Sequence, residues 1–132
     1  MHLHFYENAP EAVLLIFLII AFLQSGIDKV IDWNGNLSWL KGHFSKSPLK
    51  NMVPALLGIV TAVEIAAGIL SVIGLVHLVL YDDTLFAFYG ALTSCVALLM
   101  LFFGQRIAKD YEGAKTIAIY LVPAVFLLFL LQ

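Results

Sequence analysis

Cysteine is almost missing from this chain: Cys95 stands alone among 132 residues. That excludes an intramolecular disulfide and a Cys-x-x-Cys redox pair. It also excludes the chemistry of four-helix membrane enzymes that shuttle thiols through paired cysteines. Charge is scarce too, at 12% Asp, Glu, Lys and Arg, against about 25% in soluble domains. No basic surface is large enough for nucleic acid, and none is expected as a partner. No glycine-rich phosphate loop and no Ser-His-Asp set is present. None of the histidines His2, His4, His43 and His77 lies deep in an apolar run, so facing bis-histidine haem ligation is excluded for one chain. His2, His4 and His77 with Asp82 and Asp83 are the only metal-type cluster. His2-x-His4 sits in a short tail, so no metal site is expected.

What is abundant is apolar. Hydrophobic residues make up 62% of the chain, and a bilayer core about 30 Å thick needs about 20 of them per helix. Four runs qualify, at 9–31, 53–77, 85–103 and 116–131. The expected fold is therefore an all-α membrane protein, a four-transmembrane-helix bundle forming one domain over 1–132. The first run has an acidic flank, Glu7 and Glu11, and is read as a span, not a signal peptide. All seven basic residues fall in or beside two connections: Lys29, Lys41, Lys46 and Lys50 around the first, Arg106, Lys109 and Lys115 around the third. Basic residues near span ends stay cytoplasmic. The expectation is an integral protein of the bacterial cytoplasmic membrane with both termini outside.

Asp32-Trp33-Asn34-Gly35-Asn36 carries helix-stop chemistry after the first span. Beyond it, Leu37, Leu40 and Phe44 recur at helical spacing, with Trp33, Trp39 and lysines suited to the interface. A short interfacial helix is predicted at 37–43. Small and polar residues form stripes: Gly58, Thr61, Glu64, Gly68 and Ser71 in the second span; Gly90, Ser94 and Ala97 in the third; Ala21, Gln24 and Ser25 in the first, near Gly26. Such stripes let helices approach closely in lipid. Gly26, Gly58, Gly68 and Gly90 are the expected packing glycines. Pro123 is expected to kink the fourth span. Cys95 reads as a small packing residue.

Glu64 most needs explanation. It lies about 16 Å into the second span, near the midplane, where a carboxylate must be protonated, paired or facing a polar cavity. It reads either as a proton-accepting or substrate-contacting group or as a hydrogen-bonding helix clamp. Gln24, Ser25 and Ser94 are its expected neighbours. Lys29 either snorkels to the interface as an anchor or reaches up to pair with Glu64, a stretched geometry. Asp28, Arg106, Lys109 and Asp110 gather at the inner mouth, as solvated interface charges or as an ion-pair network closing a cavity.

Phe22-Leu23-Gln24-Ser25-Gly26-Ile27-Asp28-Lys29 followed by Glu64-Ile65-Ala66-Ala67-Gly68 resembles the DoxX family of small four-helix membrane proteins. There a glycine and a lysine close the first helix, and the second carries a glutamate and a glycine; Gly26, Lys29, Glu64 and Gly68 match. Some members have an arginine early in the first span, where this chain has Glu11. The resemblance implies a non-catalytic accessory subunit or assembly factor of a membrane redox or stress-response complex, with a redox protein as partner. The residues themselves leave two other readings open: an oligomeric proton-coupled carrier using Glu64 and Lys29, or a quinone-binding protein using Glu64 with Tyr89 or Tyr120. No cofactor other than quinone is suggested.

Overall fold

The computed structural model describes His4 and residues 6–132. They form an all-α bundle of five helices: α1 (Ala9–Ile31), α2 (Trp33–His43), α3 (Val53–Tyr81), α4 (Leu85–Ile107) and α5 (Tyr111–Leu131). Helices α1, α3, α4 and α5 are each long and apolar enough to cross a membrane. Pro10 and Pro54 sit in the first turns of α1 and α3, where a missing N–H costs nothing. The predicted 9–31 span matches α1. The other three helices run four or five residues beyond their apolar stretches, because backbone hydrogen bonding continues after hydropathy has fallen.

The expected stop after α1 lasts a single residue. Asp32 leaves helical geometry at φ −114° and ψ 53°, and α2 begins at Trp33. The Asp32 carbonyl accepts both the backbone N–H and the side-chain amide of Asn36. The Asn and Gly residues read as a loop are thereby drawn into the first turn of α2. Left-handed residues make the other sharp turns, Asp82 (φ 52°) after α3 and Lys109 (φ 61°) before α5. Pro123 stands inside α5, which continues through it to Leu131.

The main packing partners are α1 with α3, α3 with α4, and α4 with α5, while α1 also meets α5. Small residues set the closest approaches. A Cβ on Gly74 would lie 2.5 Å from the Cα and N of Ala87; one on Gly90 would lie 2.9 Å from the backbone N of Ser71. Between α1 and α3, Gly26 faces Ile65 and Gly68 faces Leu23, with gaps equally too short for a side chain. Gly58 departs from its expected role: its face is open except for the Trp33 ring at 3.9 Å. The buried hydroxyls of Thr61, Ser71 and Ser94 each donate to the carbonyl four residues earlier, so they cost the bundle no unsatisfied group.

These contacts fix the register. With Gly26 beside Ile65 and Leu23 beside Gly68, antiparallel α1 places Gly26 and Ile27 level with Glu64. Ile31 is then level with Val60, so α3 extends past α1 by about 10 Å. Gly74 beside Ala87 and Gly90 beside Ser71 carry α4 to the same height as α3. Helix α2 occupies the space left above the shorter α1, touching both α1 and α3. All seven Lys and Arg lie at this end, termed here the basic end. Asn8, just before α1, and the last turn of α5 lie at the opposite end, where Asn8 donates to Asp82.

Candidate functional site

The register sets Glu64 against the last turns of α1. It is level with Ile27, within three residues of the middle of α3 and level with Ala97 near the middle of α4. This brings Glu64 within reach of Lys29, and the snorkelling reading of that lysine gives way. Lys29 Nζ lies 2.9 Å from Glu64 Oε1 and donates to Ser25 Oγ at 2.6 Å. The Glu64 side chain is 2% exposed and that of Lys29 17%. Oε1 is held by ion-pair contact with the ammonium, whose hydrogen bond goes to Ser25.

Two cavities meet at this pair. One, of about 240 Å³, lies among α1, α4 and α5 and is lined by Glu64, Gln24, Ser25 and Tyr120 with apolar neighbours. The other, of about 260 Å³, lies beneath α2 between α3 and α4 and is almost wholly apolar apart from Lys29, His43 and Gln105. Glu64 lines only the first and Lys29 only the second, while Leu101 of α4 lines both. The ion pair and Leu101 thus form a thin septum. A carboxylate and an ammonium each opening on a separate space can exchange partners or a proton without moving a helix.

The structure brings Gln24, Ser25, Lys29 and Glu64 together. Ser94 is placed elsewhere: its hydroxyl is used by the Gly90 carbonyl, and it lines neither cavity. Tyr120 faces the Glu64 cavity and stacks on Phe17 at 5.7 Å. Tyr89 is half exposed and packs on Phe88 instead. Cys95 is buried in the apolar core.

The inner-mouth charges do not assemble as one network. Asp28 and Lys109 are exposed, and Arg106 lies over the Tyr111 ring at 4.8 Å. Asp110 alone turns inwards. Its Oδ1 caps α5 by accepting the Gly113 N–H, and its Oδ2 lies 3.6 Å from His43 Nε2. The same nitrogen lies 2.7 Å from Gln105 Oε1. His43, Gln105 and Asp110 therefore tie α2 to the α4–α5 corner. Sequence reasoning missed His43 because 62 residues separate it from Gln105; its place at the end of the amphipathic α2 was the one available signal.

At the opposite end, His4 pairs with Glu7 and His77 with Asp83. His2 lies outside the described residues. Among those described, no three His, Cys, Asp or Glu side chains converge as metal ligands. No protein-family model, no curated protein and no solved structure matches this chain.

Proposed function

We propose that this protein is a small proton-coupled carrier of the bacterial cytoplasmic membrane, with the basic end inside, both termini outside, and Lys29–Glu64 as its switching pair. One observation carries the reading: a buried ion pair separates two cavities, with one charge facing each. A structural clamp needs neither cavity. When Glu64 takes a proton, Lys29 is released towards the space under α2; when Glu64 gives it up, the ammonium returns. Each of these two spaces is too small and too open to form a passage across one copy, so the working unit is a homo-oligomer.

Tyr120 beside Glu64 favours a second reading, in which the outer of the two spaces holds a quinone-type ring whose oxygens hydrogen-bond to these two groups. The accessory role implied by the DoxX resemblance requires instead a stoichiometric protein partner.

Proteoliposomes containing a pH-sensitive dye test the carrier reading against a panel of small anionic, cationic and neutral solutes. The expected result is solute-driven proton movement that Glu64→Gln abolishes while oligomeric state is kept. Identical traces for wild type, Glu64→Gln and empty vesicles across the panel would overturn it. Native mass spectrometry of gently extracted protein then separates the rest: a bound quinone supports the second reading, a stoichiometric redox protein the accessory one.

A further inference from the structure

We propose that the cavity under α2 binds a medium-chain carboxylate, head inwards on Lys29 and tail beneath α2. The inference rests on the carrier reading and names its substrate class.

Size comes first. The cavity follows α3 from Val53 to Val60, about 10 Å at helical rise. That length, with a volume of about 260 Å³, suits a single medium-length chain better than a two-chain phospholipid. The walls are Leu57, Leu101, Phe44 and similar side chains, which favour a hydrocarbon tail.

Charge comes second. Register places Lys29 level with the deep end of this space, and its ammonium is the only full cation lining it. All seven basic side chains stand at this end of the bundle, which draws anions towards it. An amine or a neutral amphiphile would gain nothing from either feature.

Exchange comes third. Glu64 Oε1 lies 2.9 Å from Lys29 Nζ, whose hydrogen bond goes to Ser25 Oγ, so an incoming carboxylate competes with Glu64 for the same ammonium. The carboxylate takes the ammonium, and Glu64 accepts one proton from water. One negative charge enters and one proton is taken up, so the site's net charge is unchanged. Across the first cavity, the other titratable group is Tyr120 of α5; α4 contributes only Leu98 and Leu101 there. His43 of α2 lines the same cavity as Lys29, tied to Gln105 and Asp110; proton uptake that survives in Glu64→Gln would assign the proton to His43 and overturn the role of Glu64.

Equilibrium binding of labelled octanoate to the full chain in zwitterionic nanodiscs is the test, with calorimetry in buffers of different ionisation enthalpy to count protons. Saturable binding is expected, about tenfold or more tighter than for octanol or octylamine, as one charge-assisted hydrogen bond provides. Lys29→Met should lose about tenfold or more. Glu64→Gln should bind octanoate more tightly than wild type, with the uptake of one proton abolished. If Lys29→Met does not fold, the Glu64→Gln arm decides alone. Equal retention of octanoate and octanol, unchanged affinity in Glu64→Gln, or a co-purifying phospholipid that octanoate fails to displace would each overturn the site. Octanoate binding without proton uptake would remove the coupling and keep the site. Proton-coupled movement of other solutes without octanoate binding would remove the site and keep the coupling.

Discussion

Glycine-to-alanine substitution at two positions of α3 should have opposite effects. At Gly74 the added methyl would lie 2.5 Å from two backbone atoms of Ala87. Ordinary carbon contacts are about 3.5–4.0 Å, so α4 must retreat by about 1 Å or more at that point. Backbone cannot rotate away as a side chain can. The retreat also loosens Gly90 against Ser71, less than one turn along the same seam. Overpacking of this kind costs about 1–3 kcal/mol, and Gly74→Ala should fall in the upper part of that range. At Gly58 the same methyl meets only the Trp33 ring at 3.9 Å. There the helix gains, since alanine is favoured over glycine by about 0.5–1 kcal/mol in a helix interior. Reversible unfolding in mixed micelles, followed by far-ultraviolet circular dichroism, measures both. Equal stability for the two variants, or a Gly74→Ala protein as stable as wild type, would refute the seam between α3 and α4 described above.

Lys29→Met should destabilise the bundle by about 3–5 kcal/mol by leaving Glu64 buried without its partner, and Lys29→Met with Glu64→Leu should recover most of that in the same unfolding assay. Asp110→Ala should cost about 0.5–2 kcal/mol through the lost α5 cap, and hydrogen exchange should rise in the first turn of α5 before it rises in α3. For orientation, Ser45 is exposed beyond α2 whereas the native Cys95 is buried; Ser45→Cys should react with a membrane-impermeant maleimide only after the cells are opened, and labelling of intact cells would reverse the proposed topology.

The spans and the stripes of small residues were legible because each is a one-dimensional pattern: apolar length in one case, helical spacing in the other. Relative height is a property of two helices at once. The α1–α3 register depends on which small residue meets which large one, Gly26 with Ile65 and Gly68 with Leu23, and several offsets satisfy the same stripes. Glu64 therefore stood out as an acid needing a partner, while Lys29 read as a stretched partner for it. Gly74 was passed over for a related reason, since a glycine marks a close approach only once its neighbour is known. Ser94 shows the converse. Its type and depth suited the polar cluster, yet a hydroxyl in a helix can satisfy itself on its own backbone, and nothing in the spacing distinguishes the two outcomes.

The shortness of α1 links these features. Because α1 ends level with Val60 while α3 and α4 continue, the basic end of the bundle lacks one wall. Helix α2 covers the gap, but its eleven residues include two glycines, two asparagines and a serine, and it buries none of its residues fully. A helix that buries none of its residues fully can cover a space without filling it. That leaves the apolar cavity, and the end of α1 puts Lys29 in its wall. The lysine then has two neighbours to choose between: Glu64 behind it and whatever enters beneath α2. Filling the gap with a longer, more apolar α2 would stabilise the bundle and remove the choice. Leu40→Trp, which enlarges an α2 side chain that lines this cavity, should therefore leave the Lys29–Glu64 pair intact. Octanoate binding should fall while thermal stability rises, a combination that neither a loss of folding nor a change at Lys29 itself would produce.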